Sequence, residues 1–181
     1  MKLLIASDIH GSLKAAKLVI EIFNKEEADY LLFLGDIMYH GPRNPQPAEY
    51  SPAEVAKSFN EIACYTIAVR GNCDSEVDQM LLNFPINADY QNIILGKNKL
   101  FATHGHIYEL NNLPKNLQKG DVFAFGHIHV PILEERDGII ILNPGSASLP
   151  KENNPPTYAI LDDKKIEIKT FEEKILSVLH L

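Results

Sequence analysis

The chain has 181 residues, 45% of them hydrophobic, which suffices for one domain with a substantial core. Its net charge of −7, with no run of lysines or arginines, argues against broad binding to nucleic acid, which depends on neutralising phosphates. No apolar run is long enough to span a bilayer, and no basic segment followed by a longer apolar run opens the chain, so a cytoplasmic protein without a membrane partner is expected.

In chain order, the first predicted strand is "KLLIAS". A helix follows, with an apolar stripe of Leu13, Ala16, Val19, Ile22 and Phe23 and with Ser12 as its N-cap. "YLLFLGD" is the second strand, and a helix over residues 52–62 starts with Pro52 in its first turn. "YTIAVRGN" is the third strand, and a third helix is expected to begin near Asp74. These three strands are continuously apolar, as strands covered on both faces are. Beyond residue 90 the pattern turns to hairpins. "NIILGKNKLFATH" turns at Gly96 to Asn98 and "VPILEERDGIIILN" at Asp137-Gly138, with "VFAFGH" between them and "TYAILDD" after. The reading is a single α/β domain over residues 1–181, two sheets face to face with helices outside.

The chemistry lies at the strand ends. "KLLIAS" leads to Asp8-Ile9-His10-Gly11, "YLLFL" to Gly35-Asp36, and "YTIAVR" to Gly71-Asn72-Cys73-Asp74. "KLFAT" leads to His104-Gly105-His106, and "VFAF" to Gly126-His127-Ile128-His129. Each fragment alone is weak: a Gly-Asp pair reads equally well as a turn, and a histidine sits comfortably in a loop. Together they repeat one grammar, a strand followed by a ligand-type residue, and in an α/β sheet such ends share one edge. Asp8, His10, Asp36, Asn72, His104, His127 and His129 then converge. Seven nitrogen and oxygen ligands exceed one tetrahedral site and suit two metals sharing a carboxylate. The two cysteines, Cys64 and Cys73, are too few for a disulfide framework and match no zinc spacing.

This series (D-x-H, G-D, G-N-C-D, H-G-H, G-H-x-H) resembles the calcineurin-like metallophosphoesterase superfamily over residues 2 to about 150. "GPRN", "RGNCDSEVDQM" and "NPGS" look like the small bacterial phosphodiesterases of the YfcE type. The resemblance implies a four-layer αββα sandwich of two mixed sheets flanked by helices. It also implies a dinuclear site, with Asp8, His10 and His129 around one metal, Asn72, His104 and His127 around the other, and Asp36 bridging. Mn²⁺ is the ion it favours, while the ligand types equally accommodate Fe, Co, Ni or Zn. The implied reaction is attack by a metal-bridging hydroxide on a small phosphodiester, with Asp36, Asn72, His104, Cys73 and Asp74 as the catalytic set. Homo-oligomers are known among such proteins, but no interface signature is visible here.

The main departure is Cys73, where many relatives carry a histidine that protonates the leaving oxygen. A neutral thiol does this poorly, so diesters with good leaving groups are favoured over phosphomonoesters; the competing reading makes Cys73 a packing residue. His40 and Arg43 sit in the proline-rich "MYHGPRNPQPAEYSP", a stiff candidate wall of the substrate pocket, with Arg43 either a phosphate grip or an ordinary solvated arginine. His106 competes with His104 as ligand or contacts the substrate. Arg70 fits a strand-end salt bridge, His180 a surface position, and "ILNPGSASLP" a turn without chemistry. The alternatives are a phosphomonoesterase and a non-catalytic scaffold of the same fold.

Overall fold

The computed structural model describes residues 1–181. Two mixed sheets pack face to face. The first contains β1 (Leu3–Ala6), β2 (Tyr30–Phe33), β3 (Thr66–Ala68), β9 (Thr157–Leu161), β10 (Lys165–Thr170) and β11 (Ile175–His180), in the order β11-β10-β9-β1-β2-β3. The second contains β4 (Tyr90–Leu95), β5 (Asn98–Thr103), β6 (Val122–Ala124), β7 (Pro131–Arg136) and β8 (Ile139–Pro144), in the order β4-β5-β6-β8-β7. β1, β2 and β3 run parallel to one another, as do β5, β6 and β8.

Strand alternation explains the continuous apolarity of β1. Leu3 and Ile5 face the seam between the sheets, among Leu100, Val122, Ile140 and Leu142, while Leu4 and Ala6 face the helical side. Helices α1 (Leu13–Lys25) and α2 (Pro52–Asn60) cover that side, through Ala16, Val19 and Phe23 on α1 and Val55 and Phe59 on α2. Phe33 and Phe59, both fully buried, meet edge to face at 4.9 Å, and truncating either to alanine should cost about 3–5 kcal/mol.

Ser12 caps α1, its Oγ accepting from Ala15 N at 3.3 Å. α2 ends at Asn60, two residues before the expected boundary, and a short 3₁₀ turn follows at Ala63–Tyr65. The third helix begins near Asp74 as expected but is a single turn, α3 (Glu76–Gln79), opened by a Ser75–Asp78 capping box. Both expected hairpins form; Asp137 (φ 52°) and Gly138 (φ 84°) make the tight turn that joins β7 to β8. The outer face of the second sheet is covered by the irregular segment 105–120, whose Tyr108, Leu110, Leu113 and Leu117 pack on Phe101, Phe123 and Phe125. No helix is long and apolar enough to cross a membrane.

Candidate metal centre

The parallel strands deliver their following residues to one edge of the sandwich. Asp8 and His10 follow β1, Asp36 follows β2, and Asn72, Cys73 and Asp74 follow β3. His104 follows β5, and His127 and His129 follow β6. The chain reverses so sharply there that Asp8, His10, Asp36, His127 and His129 all adopt positive φ, between 51° and 67°. Non-glycine residues rarely sit in this region, and such outliers gather at functional sites. Close approach demands glycine at two neighbouring points: a Cβ on Gly71 would collide with the Asp36 carboxylate, and one on Gly126 with Ser7 Oγ.

Three histidines are fixed alike. Nδ1 of His10 donates to Tyr39 O (2.8 Å), Nδ1 of His104 to Leu34 O (2.6 Å) and Nδ1 of His129 to Leu149 O (2.6 Å). A donor at Nδ1 leaves the Nε2 lone pair facing inward, the tautomer a metal ligand needs. Those Nε2 atoms meet the carboxylates: His129 lies 3.1 Å and His10 3.5 Å from Asp8 Oδ1, while His104 lies 3.4 Å and His10 3.7 Å from Asp36 Oδ2. Asn72 Oδ1 is 3.1 Å from His104 Nε2, and the His127 ring centroid is 5.1 Å from that of His104.

Asp8 Oδ2 accepts from Ser7 Oγ (2.6 Å) and His127 N (3.1 Å), whereas Asp8 Oδ1 is buried with no hydrogen-bond donor. A buried carboxylate oxygen left unpaired among inward-facing imidazole lone pairs is costly unless a cation lies against it. The donor set therefore fits divalent metal. Burial works against the charge on Asp8, but contact with His10 and His129 outweighs it and holds the carboxyl well below its ordinary range. Burial likewise opposes protonation of His104, yet the Asp36 and Asp8 carboxylates push it up to about 9.

The other expected site residues divide. Asp74 does not face the cluster. Its carboxylate accepts from Asp36 N (2.8 Å), Gly71 N (2.8 Å) and Ile37 N (2.9 Å), joining the loops after β2 and β3. Burial and the Asp36 charge push it up to about 6. Cys73 is at the site: its amide donates to Asp36 Oδ1 (2.8 Å), and its Sγ lies 3.2 Å from Asn72 Nδ2. Burial, then the Asp36 charge, push the thiol up, so it stays protonated. Arg43 lines the cleft over this cluster, a space of about 490 Å³ that also includes Asp36, Asn72, Cys73, His127 and His129. His40 does not line it; its ring packs edge-on between Tyr39 and Tyr50. His106 stands beside His104, ring centroids 5.4 Å apart, and burial together with the neighbouring His104 lowers its affinity for a proton. Arg70 pairs with Asp89 at 2.7 Å, and His180 is exposed at the end of β11.

The turn left without chemistry is part of this architecture. Ser146 Oγ (2.8 Å) and Ser148 Oγ (2.9 Å) both donate to the Asp8 carbonyl, and Leu149 supplies the carbonyl that orients His129. Lys151 joins the cleft lining. The β7–β8 pairing, Pro131 against Pro144, helps bring this stretch back to His129, and no local motif announces it.

The fold and the clustered ligands define a class, and sequence comparison agrees: the calcineurin-like phosphoesterase superfamily domain matches residues 1–165, so the chain belongs to that family of phosphoric ester hydrolases. It is 52% identical over 168 residues to phosphodiesterase YfcE of Escherichia coli K12, covering 93% of this chain and 91% of the relative. A solved structure of that E. coli phosphoesterase superposes with a TM-score of 0.96 at 49% identity, covering 99% of this chain and 98% of the other. Phosphodiesterase MJ0936 of Methanocaldococcus jannaschii is 29% identical over 175 residues, covering 93% of this chain and 97% of its own. The chain is thus an enzyme of this class, and the scaffold reading is set aside.

Proposed function

We propose that the protein hydrolyses a small phosphodiester at a dinuclear metal site. The observation that carries this reading is the unpaired, buried Asp8 Oδ1 among inward-facing imidazole nitrogens. Asp8, His10 and His129 would hold one cation and Asn72, His104 and His127 the second, with Asp36 shared between the two sets. When bound, two divalent cations supply the Lewis acidity that acidifies the attacking water and neutralises the phosphoryl oxygens. Mn²⁺ suits these hard oxygen and imidazole donors, as do Fe, Co, Ni and Zn.

The chain's own residues set the geometry. The carbonyls of Tyr39, Leu34 and Leu149 hold His10, His104 and His129 in the ligating tautomer. Asp74 holds the amides of Asp36, Ile37 and Gly71, so it acts by positioning Asp36 rather than by touching the substrate. Cys73 occupies the acid's place with a thiol that keeps its proton, which directs the site to leaving groups that need no protonation. That favours diesters with acidic leaving groups over phosphomonoesters.

The test is hydrolysis of bis-p-nitrophenyl phosphate against p-nitrophenyl phosphate by metal-stripped protein, with and without Mn²⁺. Metal-restored activity favouring the diester, abolished by Asp36→Asn, is the expected result. A preference for the monoester would establish the phosphomonoesterase instead.

A further inference from the structure

We propose that Arg43 and Lys151 form a second anion subsite beside the metal centre, so that the substrate is a small polar diester whose non-reacting arm carries a carboxylate or phosphate. The inference rests on the diesterase reading and deepens it. Its starting point is the lining of the cleft. Besides the metal-centre residues, that space is bounded by Gly41, Pro42, Arg43, Asn44, Ile128 and Lys151. Asp36 is the single acidic side chain in the lining, and no Phe, Tyr or Trp is present. Such a pocket lacks the large aromatic faces that most strongly hold a nucleobase or aryl arm.

Both cations are uncommitted. Of the three arginines, Arg70 pairs with Asp89 and Arg136 with Glu134, while Arg43 is in no salt bridge. Lys151 is in none either, as is true of most of the chain's lysines. Both nevertheless stand on fixed backbone. Lys151 N donates to His129 O at 3.1 Å, and its carbonyl accepts from Asn154 Nδ2 at 2.9 Å. Arg43 lies between Pro42 and Asn44, whose Nδ2 donates to His40 O at 2.9 Å, and a Cβ on Gly41 would come within 3.0 Å of Cys73 Sγ. The backbone carrying each cation therefore lies beside the site, Lys151 bonded to His129 and Gly41, two residues before Arg43, close to Cys73.

Charge decides what they are for. A phosphodiester carries one negative charge, which the metal centre already answers. Two further free cations over the same cleft, on a protein of net charge −7, match a second anion. Arg43 offers a planar fork to a carboxylate or phosphate, and Lys151 a point charge. Exposed charge pairs contribute modestly each, so together they should give a preference of about tenfold.

The experiment compares butyl p-nitrophenyl phosphate with 3-carboxypropyl p-nitrophenyl phosphate, which differ only in a terminal methyl or carboxylate and share the leaving group. The Mn²⁺-loaded protein should show about tenfold higher kcat/KM for the carboxylate, carried by KM. Arg43→Gln with Lys151→Gln should bring the ratio to about one, Arg43→Gln with Lys151→Glu should invert it, and Lys151→Arg should retain it. The 3-phosphonopropyl ester separates a phosphate-like dianion from a carboxylate. Equal rates for the wild type on all three esters, or a ratio unmoved by the double variant, overturn the subsite alone. Calorimetric binding of the same esters reads the ratio without turnover. Binding preference that depends on Arg43 and Lys151 in a protein without diesterase activity would keep the subsite and sink the hydrolytic reading; no binding preference sinks the subsite whatever the activity.

Discussion

His10 and His129, 119 residues apart in sequence, bring their Nε2 atoms to 3.2 Å of each other. Each commits its Nδ1 hydrogen to a backbone carbonyl, so two neutral rings would point lone pairs at one another. The pair is stable only with a positive charge between the rings, supplied by a proton or by a metal. Metal uptake should therefore release protons, and Mn²⁺ at one hundred times its dissociation constant should stabilise the fold by about 2.7 kcal/mol. Thermal unfolding with and without metal checks the stabilisation, and His129→Ala should remove most of it. Proton release is read by titrating in two buffers of different ionisation enthalpy.

Asp74 makes the β2 and β3 loops one unit. Asp74→Asn puts a donor where backbone amides already donate, and should cost about 2–3 kcal/mol of stability. Its effect on turnover should be about 100-fold, seen in kcat, because Asp36 is then loosely held. Urea unfolding and steady-state kinetics measure the two effects, and a fully active Asp74→Asn protein would contradict the clamp.

Ser146 and Ser148 hold the carbonyl of a residue in the left-handed region, at φ 57°. Replacing both by alanine should weaken Mn²⁺ binding by about 10–100-fold while leaving every proposed ligand in the sequence. Equilibrium dialysis with Mn²⁺ reads this directly.

For Cys73→His, the expected outcome is at least about a tenfold gain on esters with alkyl leaving groups and little change on p-nitrophenyl esters. Kinetics on an ethyl and a p-nitrophenyl diester decide it. An unaltered profile makes Cys73 a packing residue against Gly41.

Glu26, at the end of α1, meets Lys2 at 2.7 Å and Lys169 at 2.8 Å, tying the helix to β1 and β10. Partial burial alone would raise its carboxyl; the two lysines outweigh that and lower it. A lowered folded-state value means the stabilisation is complete above the ordinary value of 4.5 and fades as pH falls through the folded-state value. Glu26→Gln should thus cost about 1–2 kcal/mol at pH 7, and the gap to wild type should close in acid. Urea midpoints across the pH range provide the measurement.

Much of this was legible in the sequence because the apolar runs and the ligand residues adjoin. Period and turn chemistry placed β1, β2, β5, β6 and both hairpins. β10 and β11 went unread: "KIEIKT" alternates with charged residues, and the exposed "ILSVLH" earns its place only by pairing with β10. The cover of segment 105–120 has no period to detect. At the site, residue types were visible, but the roles of Asp74, Ser146, Ser148 and Lys151 depend on loops meeting across the sandwich.

The centre also straddles the seam between the sheets. Asp8, His10, Asp36 and Asn72 hang from the six-stranded sheet, and His104, His127 and His129 from the five-stranded one. An ion held by both sets is a rivet through the two halves of the sandwich. On the proposed ligand set, a nascent chain that has not yet reached residue 129 would have only part of it, which would make tight metal capture a late milestone of assembly. Demetallation would then loosen the register of one sheet against the other before it disturbed either sheet alone.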